Sequence, residues 1–178
     1  MTDNDSEKNL RRVLWISALD GWSISLFAGL CTLISLLWFE WAGVIVGALV
    51  TTAGAIELRG RRKLLRGDAH GLPLLVRAQV MILAVIWLYA FENLLAFDEA
   101  TIMASVTPEM RNALSQAGVS VEDFRPMLKP VYYSLYLTVI AVTLLFQGGL
   151  ALYYHSRRTK ITAALAARHT VPHPHASA

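Results

Sequence analysis

Four ionisable residues lie close to the ends of long apolar segments: Asp20, Glu57, Arg77 and His155. Carboxyl, guanidinium and imidazole groups can move a proton or hold a phosphate, so together they would suit an enzyme that acts on lipid. Each also has a simpler interpretation, which for Arg77 is solvation or a salt bridge at the end of a span. Asp20 is predicted to be the N-cap of a membrane-spanning helix, and Glu57 can pair with Arg61 one turn later. His155 suits the C-terminus of a helix.

Recognisable catalytic motifs are missing from the rest of the sequence. It has no nucleophile elbow, phosphate loop, His-x-x-x-His motif or cysteine pair, and its single cysteine, Cys31, lies inside an apolar run where it suits packing. His169, His173 and His175 could hold a metal weakly, but a disordered terminus is the favoured interpretation of this tail. We therefore predict no catalytic residue, no cofactor and no metal ion.

Neutral polar side chains recur at helical spacing in the last two apolar segments. Those of the third and fourth segments are Gln79, Tyr89, Asn93, Tyr136, Thr143 and Gln147, and Tyr154 continues the row on the fourth. Neutral polar groups are costly to expose to lipid, so these rows should point into a helical bundle. They predict either hydrogen bonds between helices or the lining of a pore in a homo-oligomeric channel.

Two further patterns concern contacts rather than chemistry. Small residues at four-residue spacing let another helix approach closely, whether from the same chain or from a second copy: Gly43, Gly47, Thr51 and Ala55. A basic run follows, and it either contacts acidic lipid headgroups or only sets the topology: Arg59, Arg61, Arg62, Lys63 and Arg66.

The elements that carry these residues follow from composition. Of the 178 residues 55% are hydrophobic and 16% charged, with a mean hydropathy of +0.46, which is typical of membrane proteins. The apolar residues form four blocks, and the predicted spans are 22–39, 41–58, 74–96 and 131–154. We predict an all-α integral membrane four-helix bundle in a single domain, residues 1–178.

Charge predicts the orientation of this bundle. Thirteen of the 16 Lys and Arg residues fall before the first span, in the 59–72 loop and at the start of the third span, or after the fourth span. Basic residues resist translocation, so both termini, including the tail 155–178, are expected in the cytoplasm, with the chain in the inner (plasma) membrane. Anionic headgroups of the bilayer account for the net charge of +3, so no nucleic-acid partner is needed.

Two segments outside the spans have helix signals. Residues 8–20 predict a basic amphipathic helix lying in the membrane interface. The 97–130 connection predicts two short periplasmic helices, one capped by Thr107 and one by Ser120, the second ending at Pro130.

Function is constrained mainly by what the spans lack. The central part of each span has no Asp, Glu, Lys, Arg or His, which disfavours proton relays, charge-coupled transporters and voltage sensors. The leading hypothesis is a non-enzymatic assembly, accessory or scaffolding protein acting through helix and lipid contacts, with a homo-oligomer or a membrane protein as partner. The alternatives are the small channel and the lipid-active enzyme.

Overall fold

A computed structural model describes residues 3–116, 118 and 121–170. It is 90% helical, and the described residues contain no strand. The helices in chain order are α1 (Asp3–Leu37), α2 (Trp41–Leu65), α3 (Gly71–Leu95), α4 (Glu99–Ala104), α5 (Pro108–Gln116), α6 (Val121–Thr143), α7 (Gly149–Ser156) and α8 (Arg158–Thr170), with a π-helical turn at Leu144–Gly148 between α6 and α7.

Four helical runs are long and apolar enough to cross a membrane, as the four apolar blocks predict. They are Asp5–Leu37, Trp41–Leu65, Gly71–Leu95 and Arg125–Ser156, the last joining α6, the π-helical turn and α7. Their side chains leave broad apolar surfaces uncovered: Leu26 is 74% exposed, Leu88 71% and Leu145 73%. Exposing this much apolar surface to water is unfavourable, whereas lipid accommodates it. The chain therefore fits a multi-pass membrane protein.

The first helix differs from the expected interfacial helix followed by a span. α1 is continuous for 35 residues, about 50 Å at 1.5 Å per residue, well beyond the roughly 30 Å of hydrocarbon. Asp20 lies inside it, so the N-cap interpretation is wrong. Gly21 does not break the helix because it faces α2: an added Cβ would lie 3.0 Å from Leu58 Cδ2 and 3.5 Å from the Gly54 carbonyl oxygen.

The connection between the third and fourth runs is more helical than expected. Thr107 caps α5 as predicted, since its Oγ1 accepts a 3.3 Å bond from the Met110 N–H. α4 was not predicted; Asp98 caps it, and bonds from the Thr101 hydroxyl and the Ala100 N–H lower the pKa of that carboxyl.

The second predicted start in this connection, Ser120, lies outside the described residues. Pro130 does not end a short helix, because α6 runs through both Pro126 and Pro130 to Thr143. Each proline removes one backbone N–H and so one hydrogen bond from the helix. The long apolar helical segment that follows Pro130 compensates for this loss.

The turn between α2 and α3 is held by Asp68. Gly67 has φ +85°, a left-handed conformation that suits glycine after a helix end. The Asp68 carboxylate accepts a 2.8 Å bond from the His70 N–H and lies 3.3 Å from Lys63 Nζ. The His70 bonds and Lys63 lower the pKa of Asp68 to about 2.

The chain divides into two compact units, one comprising Met1–Val85 with Leu144–Ala178 and the other Ile86–Thr143. The first unit contains an apolar core, which we call the head: Leu10, Val13, Leu64, Leu72, Leu75, Tyr154, Ile161, Ala164 and Leu165. α1 and α8 pack directly against each other there. Because α8 packs on one side of α1, that side of the N-terminal part of the long helix is covered by protein.

The second unit is held together by aromatic rings. Tyr132 lies with its centroid 5.1 Å from Phe97 and 4.8 Å from Tyr136. Trp87 Nε1 donates a 3.2 Å bond to the Ile140 carbonyl oxygen, which ties α3 to α6.

Candidate functional site: a buried carboxyl cluster

Four polar side chains from four helices meet inside the first unit, and we call them the carboxyl cluster: Asp20 of α1, Glu57 of α2, Gln79 of α3 and Tyr154 of α7. The Gln79 amide Nε2 donates to Asp20 Oδ2 at 2.8 Å and to Glu57 Oε2 at 2.9 Å. The Tyr154 hydroxyl donates to Glu57 Oε1 at 3.0 Å. Glu57, Gln79 and Tyr154 are fully buried, and Asp20 is partly buried.

Close backbone packing brings these side chains together. On α1 and α2, a Cβ added to Gly54 would collide with Ser25 Oγ and lie 3.2 Å from the Gly21 carbonyl oxygen. On α2 and α3, a Cβ added to Gly60 would lie 2.8 Å from the Gly71 carbonyl oxygen. Only glycine permits such approaches, so small residues set the short distances over which the cluster forms.

The predicted partner of Glu57 has another role. Arg61 does not pair with Glu57; its Nε donates a 3.1 Å bond to the Leu14 carbonyl oxygen and ties α2 to α1. Among the residues that the structure describes, no Lys, Arg or His forms an ion pair with Asp20 or Glu57. The cluster is therefore an acidic, hydrogen-bonded contact between helices with no positive charge inside it.

One buried acceptor in the cluster is unused. Gln79 Oε1 is buried, and the described part of the chain supplies it with no hydrogen-bond partner. Both carboxyl groups accept a hydrogen bond from Gln79 Nε2, and this orients the Gln79 amide. Its Oε1 therefore faces away from the two carboxyl groups. An unsatisfied buried acceptor costs about 1–3 kcal/mol, which the two Nε2 bonds offset.

A cavity adjoins the cluster on the Tyr154 side. It has a volume of about 200 Å³, and Tyr154 lines it together with Leu72, Pro73, Val76, Arg77, His155 and Arg158. Its lining combines apolar side chains with two guanidinium groups and an imidazole. The structure thus joins Asp20 to Glu57 through Gln79, and places Arg77 and His155 at a cavity that only Tyr154 shares with the cluster.

The small-residue row lies against α1 of the same chain. A Cβ on Gly43 would meet Ser35, and one on Gly47 would lie 3.2 Å from the Thr32 Cα. Gly29 faces Thr51 across the same contact, at 3.9 Å from a built Cβ to Thr51 Oγ1. α1 therefore occupies the groove that Gly43, Gly47 and Thr51 form; Ala55, the last of the row, is exposed.

The polar rows of the third and fourth runs are divided between the two units. Gln79 and Gln147 belong to the first, whereas Tyr89, Asn93, Tyr136 and Thr143 belong to the second. Gln147 lies in the π-helical turn with its Oε1 buried and given no partner by the described residues.

Hydrogen bonds in the second unit use much of the predicted row. Asn93 Nδ2 donates to the Tyr89 carbonyl oxygen at 2.8 Å, and the Tyr132 hydroxyl donates to the Asn93 carbonyl oxygen at 2.9 Å. Tyr89 and Tyr136 pack edge to face with centroids 6.4 Å apart, and Thr143 Oγ1 donates to the Val139 carbonyl oxygen on its own helix. The pore interpretation of these residues rests on their spacing in the sequence alone.

The basic run between Arg59 and Arg66 is not a uniform patch. Arg61 is bonded to α1, and Lys63 lies 3.3 Å from Asp68. Arg59, Arg62 and Arg66 are exposed. Three of the five cations thus remain on the surface as candidates for headgroup contact.

The cluster was missed because its members were interpreted one at a time. A signal was present in the sequence: Glu57 lies three residues after Gly54 and three before Gly60, so it shares a helix face with two glycines that allow another helix to come close. A carboxyl on that face needs a buried partner. The identity of the partner, 97 positions away at Tyr154, had no such signal.

Comparisons with known proteins do not assign the chain to a family: no family model matches it, and no curated protein or solved structure is significantly similar. Among the described residues, no group of three or more His, Cys, Asp or Glu side chains could hold a metal ion.

Proposed function

We propose that this chain is a non-enzymatic accessory or scaffolding protein of the inner membrane, acting through contacts with neighbouring helices and with lipid. One observation carries the proposal: the four side chains of the carboxyl cluster bond to one another. Asp20, Glu57, Gln79 and Tyr154 join α1, α2, α3 and α7. Polar side chains used in this way fix the arrangement of helices, and the surface left for other molecules is apolar along the spans and basic at the head.

A scaffolding protein should contact its partner through one defined face. The test places a photo-crosslinking amino acid in native membranes at Leu26, Leu88 or Leu145, each exposed and each on a different spanning run. We expect a discrete protein adduct from one or two of these positions and lipid adducts from the rest. Lipid adducts alone at all three positions, together with a monomer after lipid-preserving extraction, would overturn the proposal.

The orientation is part of the same proposal, with both termini in the cytoplasm. Its support is the charge distribution, since the basic residues cluster in the N-terminal part of α1, from the end of α2 to the start of α3, and after α7. In a Cys31→Ala background, Arg66→Cys should react with an impermeant maleimide only after the inner membrane is opened, and Gln116→Cys should react before. The reverse pattern would overturn the orientation.

The cavity beside the cluster favours a second candidate, the lipid-active enzyme. Arg77 and Arg158 would hold a phosphate, with His155 beside it as a proton donor or acceptor, and Tyr154 would link this cavity to the buried carboxyls. Purified protein in nanodiscs with labelled phospholipids discriminates between the two candidates. Headgroup turnover that is lost in both Arg77→Gln and His155→Gln supports the enzyme, whereas unchanged lipids after prolonged incubation support the scaffold.

A further inference from the structure

A groove lined by cations lies at the head, outside the carboxyl cluster and its cavity. Its volume is about 490 Å³, and we call it the basic groove. α1 supplies one wall with Lys8, Arg11 and Arg12, and the residues after α7 supply the other with Arg157 and Lys160. Asp5 and Asn9 complete the lining, so five cationic side chains stand against one carboxylate.

Apolar packing beneath the groove fixes its two walls. Leu10 and Val13 of α1 are fully buried, as is Ile161 of α8, while Leu165 is 2% exposed. This contact brings like charges from two helices to the same opening, which costs Coulomb energy at short range. A bound anion removes that cost, and because the walls are held in place by the head, little ordering is needed to bind it.

The groove continues along α1 toward the apolar part of the helix. An adjoining groove of about 610 Å³ shares Arg11 and Arg12 and adds Trp15, Ile16 and Tyr153. A third, of about 420 Å³, shares Trp15 and continues over Leu19, Trp22 and Leu26. The Arg157 guanidinium carbon lies 5.6 Å from the Tyr153 ring centroid, at the boundary between the charged and aromatic sections.

The order of side chains along these grooves matches the order of chemical groups along a membrane lipid. Cations come first, then Trp and Tyr rings of the kind that prefer the headgroup level, then aliphatic side chains. From Lys8 to Leu26 the helix rises about 27 Å at 1.5 Å per residue. A soluble anion would use only the first section, whereas an amphiphile with a charged end and an acyl chain uses all three.

We propose that this surface binds one anionic glycerophospholipid whose headgroup carries two phosphates, that is, a diphosphatidylglycerol (cardiolipin). One phosphate lies against the α1 wall and the other against the Arg157 and Lys160 wall, and an acyl chain follows Trp15 toward Leu26. Cations on both walls favour two phosphates over one, and basic pockets between helices on the cytoplasmic side are known to suit such lipids. The inference rests on the lipid contacts of the proposed function and names their site and partner.

The test compares two variants with the same change in charge. The groove variant combines Arg11→Gln, Arg157→Gln and Lys160→Gln. The control variant combines Arg59→Gln, Arg62→Gln and Arg66→Gln; these three residues are exposed at the C-terminal end of α2 or directly after it, and they do not line the basic groove. Delipidated protein is titrated with cardiolipin, phosphatidylglycerol or phosphatidylcholine and the bound lipid is counted by native mass spectrometry, with circular dichroism confirming that each variant is folded.

We expect wild-type protein and the control variant to bind cardiolipin most tightly. The groove variant should bind it about 100-fold more weakly, since it lacks three cations and each cation near the lipid surface contributes about a fivefold effect. Equal losses in the two variants would show diffuse attraction and overturn the groove. Equal affinity for cardiolipin and phosphatidylglycerol would overturn the two-phosphate assignment.

A second measurement separates a lipid from a free anion. Lipids with brominated acyl chains should quench tryptophan fluorescence in wild-type protein, and quenching should fall in Trp15→Phe. Pyrophosphate that displaces cardiolipin completely, with no quenching by brominated chains, would show a soluble-anion site and overturn the proposal. Leu26 lies at the acyl-chain end of this surface, but protein adducts at Leu88 and Leu145 do not depend on it, so this inference and the proposed function can fail separately.

Discussion

Replacing Glu57 by leucine should destabilise the first unit, because Glu57 is the acceptor for two side chains of other helices. In Glu57→Leu the Gln79 amide keeps its bond to Asp20, but the buried Tyr154 hydroxyl loses the acceptor that it has in the structure. Hydrogen bonds between membrane helices are worth about 0.6 kcal/mol on average and up to about 1.7. A buried donor without a partner costs about 1–3 kcal/mol.

The expected loss in the free energy of unfolding is therefore about 1–3 kcal/mol, or about 5- to 150-fold in the folding equilibrium constant. It can be measured by titrating the purified protein in mixed micelles with SDS and following helical circular dichroism. Glu92→Leu is the matched control, since the side chain of Glu92 is exposed near the C-terminal end of α3. It should change stability by less than about 0.5 kcal/mol.

A double variant tests the mechanism rather than the size of the loss. Tyr154→Phe removes the hydroxyl that Glu57→Leu leaves without an acceptor, so the loss in Glu57→Leu/Tyr154→Phe should be smaller than the sum of the two single losses by about 1 kcal/mol. Glu57→Leu as stable as Glu92→Leu, or a double variant with fully additive losses, would refute the reasoning.

Three further changes probe the packing and the turns. Gly71→Ala should destabilise the protein by about 1–3 kcal/mol because the new Cβ collides with the Gly60 carbonyl oxygen, whereas Gly149→Ala, with nothing within 4 Å, should be neutral or slightly stabilising in the same SDS titration. Asp98→Ala should speed amide hydrogen exchange across α4, because it removes the cap that bonds two N–H groups, and unchanged exchange would contradict the capping role. The Asp68 turn should stay closed from neutral pH to about pH 3 and open as the pH falls through about 2, the lowered pKa of its carboxyl; an NMR titration midpoint near 4 would contradict it.

The spans were predictable because composition alone decides them. A run such as Val131–Tyr154 has no charge over a length that crosses the hydrocarbon, and no tertiary contact is needed to recognise it. The cap of α5 was predictable for a similar reason, since Thr107 acts on an N–H only three residues away. Local rules were sufficient wherever the interaction was local.

The carboxyl cluster was not predictable in this way. Asp20 before Gly21 has the local pattern of a helix start, but Gly21 is small because α2 passes close to it. Whether a glycine ends a helix or admits a neighbour depends on a contact distant in the sequence. The same applies to Tyr154, whose partner Glu57 is 97 positions away.

The π-helical turn at Leu144–Gly148 makes the length of the last run as important as its composition. A π-turn closes its hydrogen bonds over one residue more than an α-turn. The turn takes up one extra residue, so deleting one of its five residues would let the run continue as an α-helix with the following residues facing nearly the same way. If all five residues were kept in α-helical geometry instead, the residues that follow would be rotated by about 100° about the helix axis. The extra residue therefore sets the side of the run on which Tyr154 lies. A single-codon deletion within this turn should be tolerated better than one in the α-helical parts of the run.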